Sequence, residues 1–135
     1  MGVIKVNMTL LREALESSWD SKTAYLEVSE RGNFALGQCY PTSRVVQFYF
    51  PETEIVEGQV WTGKKMEKHF WNVIEINGEE YHIDFTWQQF PVGSLVRSYK
   101  VRNRDALGDS LKTIKRIELL HKRVKKFLFN NSSVD

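Results

Sequence analysis

The chain has a single cysteine, Cys39, among 135 residues. One thiol cannot close an internal disulfide, so nothing in the sequence points to an oxidising compartment. Long apolar runs are also missing. The N-terminal MGVIKVNMTLLREALESSWD carries Glu13, Glu16 and Asp20 where a signal core would be apolar. The expectation is a soluble cytoplasmic protein with no membrane partner. Charge of one sign is scarce too: the formal net charge is only +2, which singles out no partner class. The three histidines have no recognisable ligand spacing, so neither a metal site nor a cofactor is expected. Repeats and low-complexity tracts are absent, and no linker divides the chain.

What is present suits one α+β domain over residues 1–135, with a frayed tail from about 130. Hydrophobic residues make up 41%, enough for a core, and the 27% charged residues are mixed in sign, which argues against disorder. Asn7 or Thr9 can cap a first helix, because a short side-chain oxygen accepts from an unpaired N–H of the first turn. Leu10, Leu11, Ala14, Leu15 and Trp19 follow at helical spacing. Residues 20–38, broken by Gly32 and Gly37, read as a loop.

A second helix is expected from Cys39. Pro41 fits its first turn, and Pro51 ends it. EIVEGQVWT at 54–62 reads as a strand interrupted by Gly58, and GKKMEK at 63–68 as a polar connection. Beyond Pro91 and Gly93 a loop is expected. A terminal helix, roughly 103–129, has Gly108 as its weak point and Leu111, Ile114, Ile117, Leu120, Val124 and Phe127 as its apolar stripe.

The clearest local signal is Asn77-Gly78 between HFWNVIEI (69–76) and EEYHIDFT (79–86). Both residues of a two-residue hairpin loop take positive φ, which Asn-Gly tolerates. That loop sets Ile76 opposite Glu79, Val73 opposite His82, Trp71 opposite Asp84 and His69 opposite Thr86. Side chains alternate along strands, so His69, Trp71 and Val73 share a face with Thr86, Asp84 and His82. His69 and Asp84 are diagonal neighbours, about 7–8 Å apart at the backbone, within side-chain reach. The other face carries Phe70, Ile74, Ile76, Tyr81, Ile83 and Phe85, with Asn72 as its polar exception. It is expected to face a core.

The hairpin therefore offers an imidazole with a carboxylate to orient it. A thiol at a helix N-terminus, where the local positive charge favours thiolate, would complete a nucleophile–base–orienter set of Cys39, His69 and Asp84.

The blocks G-Q-C at 37–39, H-F-W-N at 69–72, I-D-F-T-W-Q-Q-F at 83–90 and R-I-E-L-L-H-K-R-V at 116–124 resemble the YunG-like family of small bacterial proteins, from about Leu10 to about Phe127. Phe70 stands where that family usually has Tyr, and Phe85 where it has Leu. The order Cys, H-x-W, D-x-T also resembles transglutaminase-like and papain-like cysteine enzymes. That resemblance implies a helix starting at the cysteine, packed on a small antiparallel sheet with flanking terminal helices. It also implies Cys39 as nucleophile, His69 as base and Asp84 as orienting carboxylate. The implied function is cysteine-dependent acyl transfer: amide hydrolysis, deamidation or transfer to an amine, on a protein or small-molecule acyl substrate.

Each residue has a plainer reading. Cys39 alone would be a buried structural thiol. Gln38 is either a donor to a developing oxyanion, beside the Cys39 backbone N–H, or a loop amide bonding backbone. Trp71 and Trp87 are either walls of a cleft or core aromatics. Asn72 anchors a loop, Thr86 supports Asp84, and His82 is the alternative base. A non-catalytic binding module on the same fold competes with the enzyme reading. Lys112, Lys115, Arg116, Lys122, Arg123, Lys125 and Lys126 suggest a nucleic-acid surface, but they fit the solvated side of an amphipathic helix better.

Overall fold

A computed structural model describes residues 6–24, 35 and 37–131. Most of the expected 20–38 loop, with Gly32, and the tail beyond 131 lie outside the described residues. The fold is α+β. Its elements run α1 (Met8–Glu16), α2 (Cys39–Tyr49), β1 (Glu54–Trp61), β2 (Met66–Ile76), β3 (Glu79–Ile83), β4 (Leu95–Val101) and α3 (Leu111–Asn130). The four strands form a curled antiparallel sheet in the order β3-β2-β1-β4. No helix among the described residues is long and apolar enough to cross a membrane.

The helix ends follow local chemistry. Asn7 caps α1, its Oδ1 accepting from the Leu10 N–H at 2.7 Å. Ser110 caps α3 in the same way through Thr113. Leu11, Leu15, Trp19, Val45, Val46, Leu120, Val124 and Leu128 interlock the three helices in one core. Burial begins late in α3. Leu111 and Ile114, expected in its stripe, are exposed because the helix meets α1 and α2 only further along. The segment before it is not helical: Arg104–Ala106 makes one 3-10 turn, and Gly108 takes φ 66, which only glycine adopts readily.

The second core lies between α2 and the sheet. Cys39, Tyr40, Ile55 and Phe70 pack together there. Asn72 is the polar pin: its Nδ2 donates to the Ser43 carbonyl at 2.9 Å and lies 3.4 Å from Thr53 Oγ1. The expected hairpin forms with Asn77 at φ 54 and Gly78 at φ 82, and with Val73 opposite His82.

Several expectations need correction. The face with Phe70 and Asn72 meets α2, but Ile76 and Tyr81 at the hairpin tip are exposed, because α2 does not extend that far. β2 begins at Met66, inside the expected polar connection, because β1 supplies a full ladder down to Trp61 opposite Met66. β4 replaces the expected loop. Every residue of LVRSYKV is exposed, so no alternation of burial announces an edge strand; its pairing to β1 makes it one.

Gly58 does not interrupt β1. The ring of Trp71 lies over it, and a Cβ built there would fall inside that ring's van der Waals envelope. Gly58→Ala is expected to cost about 1–3 kcal/mol in urea denaturation, the usual penalty of overpacking. It should also displace the Trp71 indole N–H resonance. An unchanged midpoint and resonance would contradict this packing.

Candidate functional site

β3 ends at Ile83, opposite Asn72, so β3 does not pair with the stretch of β2 that carries His69 and Trp71. The expected ladder pairs of Trp71 with Asp84 and of His69 with Thr86 therefore do not form. The cause is Asp84 itself. Its Oδ1 accepts from the Thr86 backbone N–H at 3.1 Å and from Thr86 Oγ1 at 3.3 Å, an aspartate-led turn that bends the chain out of the sheet. The other oxygen, Oδ2, lies 2.7 Å from His69 Nε2. One carboxylate thus ends a strand and orients an imidazole.

The His69 side chain is 0% exposed. Phe90 stands edge-on to it at 4.8 Å between ring centres, Trp71 lies 5.5 Å away and Trp87 6.0 Å. Nε2–H is donated to Asp84, which leaves Nδ1, a buried atom with no partner of ordinary hydrogen-bond geometry. Cys39 nonetheless acts on this imidazole as a hydrogen-bonding and electrostatic neighbour. Nδ1 is the ring nitrogen that Asp84 leaves unengaged. Burial disfavours the imidazolium, but Asp84 and then Cys39 outweigh it, and the pKa is raised to about 9. Cys39 is a buried thiol, outside any disulfide, in the first turn of α2.

The remaining expected residues are placed as follows. Gln38 is buried; its Oε1 accepts from Thr23 Oγ1 at 2.7 Å and its Nε2 donates to the Asp20 carbonyl at 2.9 Å. These bonds brace the residue before Cys39 against the chain that follows α1. Thr86 holds Asp84. Asn72 ties β2 to α2 and does not contact the His69–Asp84 pair through any of its hydrogen bonds. His82 accepts from Trp71 Nε1 at 2.8 Å through Nδ1, and its Nε2 lies 3.4 Å from Glu80. With Nδ1 so occupied, it serves Trp71 rather than a thiol. Among the described residues, no three His, Cys, Asp or Glu side chains are grouped to hold a metal ion.

Sequence reasoning gave Phe90 no role, although it ends the quoted D-F-T-W-Q-Q-F block. It also missed a latch on α2. Tyr40 donates to Asp109 Oδ1, and Arg44 Nε reaches Oδ2 of the same carboxylate at 2.9 Å. Burial and the Asp109 carboxylate raise the Tyr40 pKa. Asp109 is 69 positions from Tyr40, so no local pattern links them.

The model of the YunG protein family matches residues 7–129. The chain belongs to the YunG family. The match takes in the G-Q-C, H-F-W-N and D-F-T blocks and the segment of α3 that packs on α1 and α2. No curated protein and no solved structure shows a significant match to it.

The raised pKa has a definite sign. His69 binds its proton more tightly in the folded protein than the ordinary value of 6.5, so this contribution to stability is complete below 6.5 and is lost as pH rises through about 9. In NMR the His69 ring should titrate near 9, and Asp84→Asn should lower that midpoint. Stability should fall more across this window in the wild type than in His69→Gln. A wild-type midpoint at or below 6.5 would refute the coupling.

Proposed function

We propose that this YunG-family protein is a cysteine-dependent acyl-transfer enzyme with Cys39 as nucleophile, His69 as general base and Asp84 as orienting carboxylate, on a transglutaminase-like or papain-like core. The observation that carries the reading is the His69 imidazole, fully buried, held at Nε2 by Asp84 at 2.7 Å, with Cys39 acting on it. A buried imidazole with one nitrogen fixed by a carboxylate has its tautomer chosen, and its other nitrogen is ready to exchange a proton with a thiol.

The chemistry follows from that arrangement. His69 holds its proton up to about pH 9, so the thiol's proton rests on Nδ1, and Cys39 attacks the acyl carbon as the thiolate of that pair to form a C–S bond. As the C–N bond breaks, the imidazolium returns its proton to the departing nitrogen. Water or an amine then attacks the thioester, with His69 taking the attacker's proton and the Cys39 sulfur leaving. Asp84 keeps its charge throughout and stabilises the transient imidazolium. The backbone N–H groups at the start of α2 are the natural donors to the oxyanion, since Gln38 Nε2 already donates to the Asp20 carbonyl. The substrate is a protein or small-molecule amide or thioester, met in the cytoplasm.

Incubation with a panel of acyl donors followed by mass spectrometry tests this. A covalent adduct on Cys39 is expected, with turnover reduced roughly 10³-fold or more in Cys39→Ala and His69→Ala. Iodoacetamide should alkylate the native thiol near neutral pH, with a pH dependence that changes in His69→Ala. An inert Cys39, with every assayed activity unchanged in Cys39→Ala, would overturn the proposal.

A further inference from the structure

Beside His69, residues of β2, β3, β4 and the turn that follows Asp84 line a cleft. Trp71, His82, Asp84, Trp87, Val96 and Tyr99 line a space of about 410 Å³. That volume lies within the roughly 300–1,000 Å³ range of ligand sites. Its walls are almost wholly apolar, with little polar surface. Val96 and Tyr99 remain 42% and 48% exposed, so apolar surface is left open there.

The walls are preformed. Trp71 is nearly buried, rests directly over Gly58 and is pinned through Nε1 to His82. Tyr99 is tied to Glu80 at 3.0 Å and stands edge-on to His82. Such fixed aromatic walls give up little entropy on binding. The cleft ends on Asp84, the carboxylate that also holds His69.

We propose that this cleft is the leaving-group subsite of the acyl-transfer reaction, and that it selects a substrate with an apolar side chain, aromatic or branched aliphatic, on the nitrogen side of the scissile amide. The inference rests on the reading of Cys39, His69 and Asp84 above. Its logic is one of order. Nucleophile, imidazole and carboxylate lie in sequence. The group that receives the imidazolium proton is the departing nitrogen, so the leaving half of the substrate lies on the His69 side of the thiol. The Trp71–Trp87 cleft is apolar space flanking that imidazole. An amine that resolves the thioester enters by the same route in reverse, so the cleft also selects the acceptor.

The test uses amino-acid amides as mimics of the departing half: L-phenylalanine amide, L-leucine amide and L-serine amide. The readout is the indole N–H resonances of Trp71 and Trp87 in the intact protein. Phenylalanine and leucine amides are expected to shift both resonances saturably, with serine amide at least about tenfold weaker. Val96→Trp, which fills the cleft, should remove the shifts. Cys39→Ala should retain them, because binding does not need the thiol. Equal response to serine amide, absence of any response, or shifts unaltered in Val96→Trp would overturn the proposal. Failure of the acyl-transfer reading registers separately, in adduct formation on Cys39, so the two outcomes do not mask each other.

Discussion

The hydrogen bond between His69 and Asp84 is the constraint around which this end of the molecule is built. It spans 2.7 Å inside an aromatic enclosure and involves an imidazole with no exposed surface. A buried polar ring without a partner would cost several kcal/mol, so the carboxylate must be present and correctly aimed. Asp84 reaches that position only because its second oxygen closes a turn with Thr86 and ends β3. The break in the ladder, the direction of the following 3-10 turn (Trp87–Gln89) and the placement of Phe90 on the imidazole all follow from the way one carboxylate divides its two oxygens.

The rest of the fold brings a thiol to that imidazole and holds it there. α2 is fastened at three points along its length. Gln38 ties its start to the end of the α1 region, Tyr40 and Arg44 share Asp109, and Ser43 accepts from Asn72 on β2. Each fastening is a buried or partly buried polar contact, which fixes direction as well as distance, whereas apolar packing alone tolerates sliding. The three-helix core behind α2 supplies the bulk of the burial.

On the sheet, one close approach shapes the neighbouring cleft. Trp71 can lie flat over β1 only because residue 58 has no side chain. The indole is then held by His82, an exposed histidine whose ring thereby gains a structural purpose. The two histidines of the hairpin divide their tasks by depth. The buried one pairs with a carboxylate, and the half-exposed one accepts from a tryptophan.

Local chemistry made much of this legible in the amino-acid sequence. Asn77-Gly78 demands positive φ twice, so the hairpin and its register as far as Ile83 follow from local chemistry, whereas Asp84 reaches His69 through a turn that leaves the ladder. Pro41 and Pro51 bracket α2, and Asn7 announces α1. Other features have no local signature. β4 exposes every side chain, so only its pairing with β1 reveals it as a strand. Leu111 and Ile114 fit the helical stripe of α3, yet what buries a stripe is the neighbour opposite it, and both side chains stay exposed. Gln38 reads equally as oxyanion donor or brace until Thr23 and Asp20 are seen to engage both ends of its amide. The sequence alone determined which residues share a strand face and where a thiol begins a helix, because those depend on φ, period and capping. Only the tertiary structure decided that Cys39 meets His69, that Asp84 leaves the sheet to hold it, and that Trp71 walls a cleft. Those contacts join segments 15 to 30 residues apart, or separate strands, whose approach is set by packing and not by any local rule.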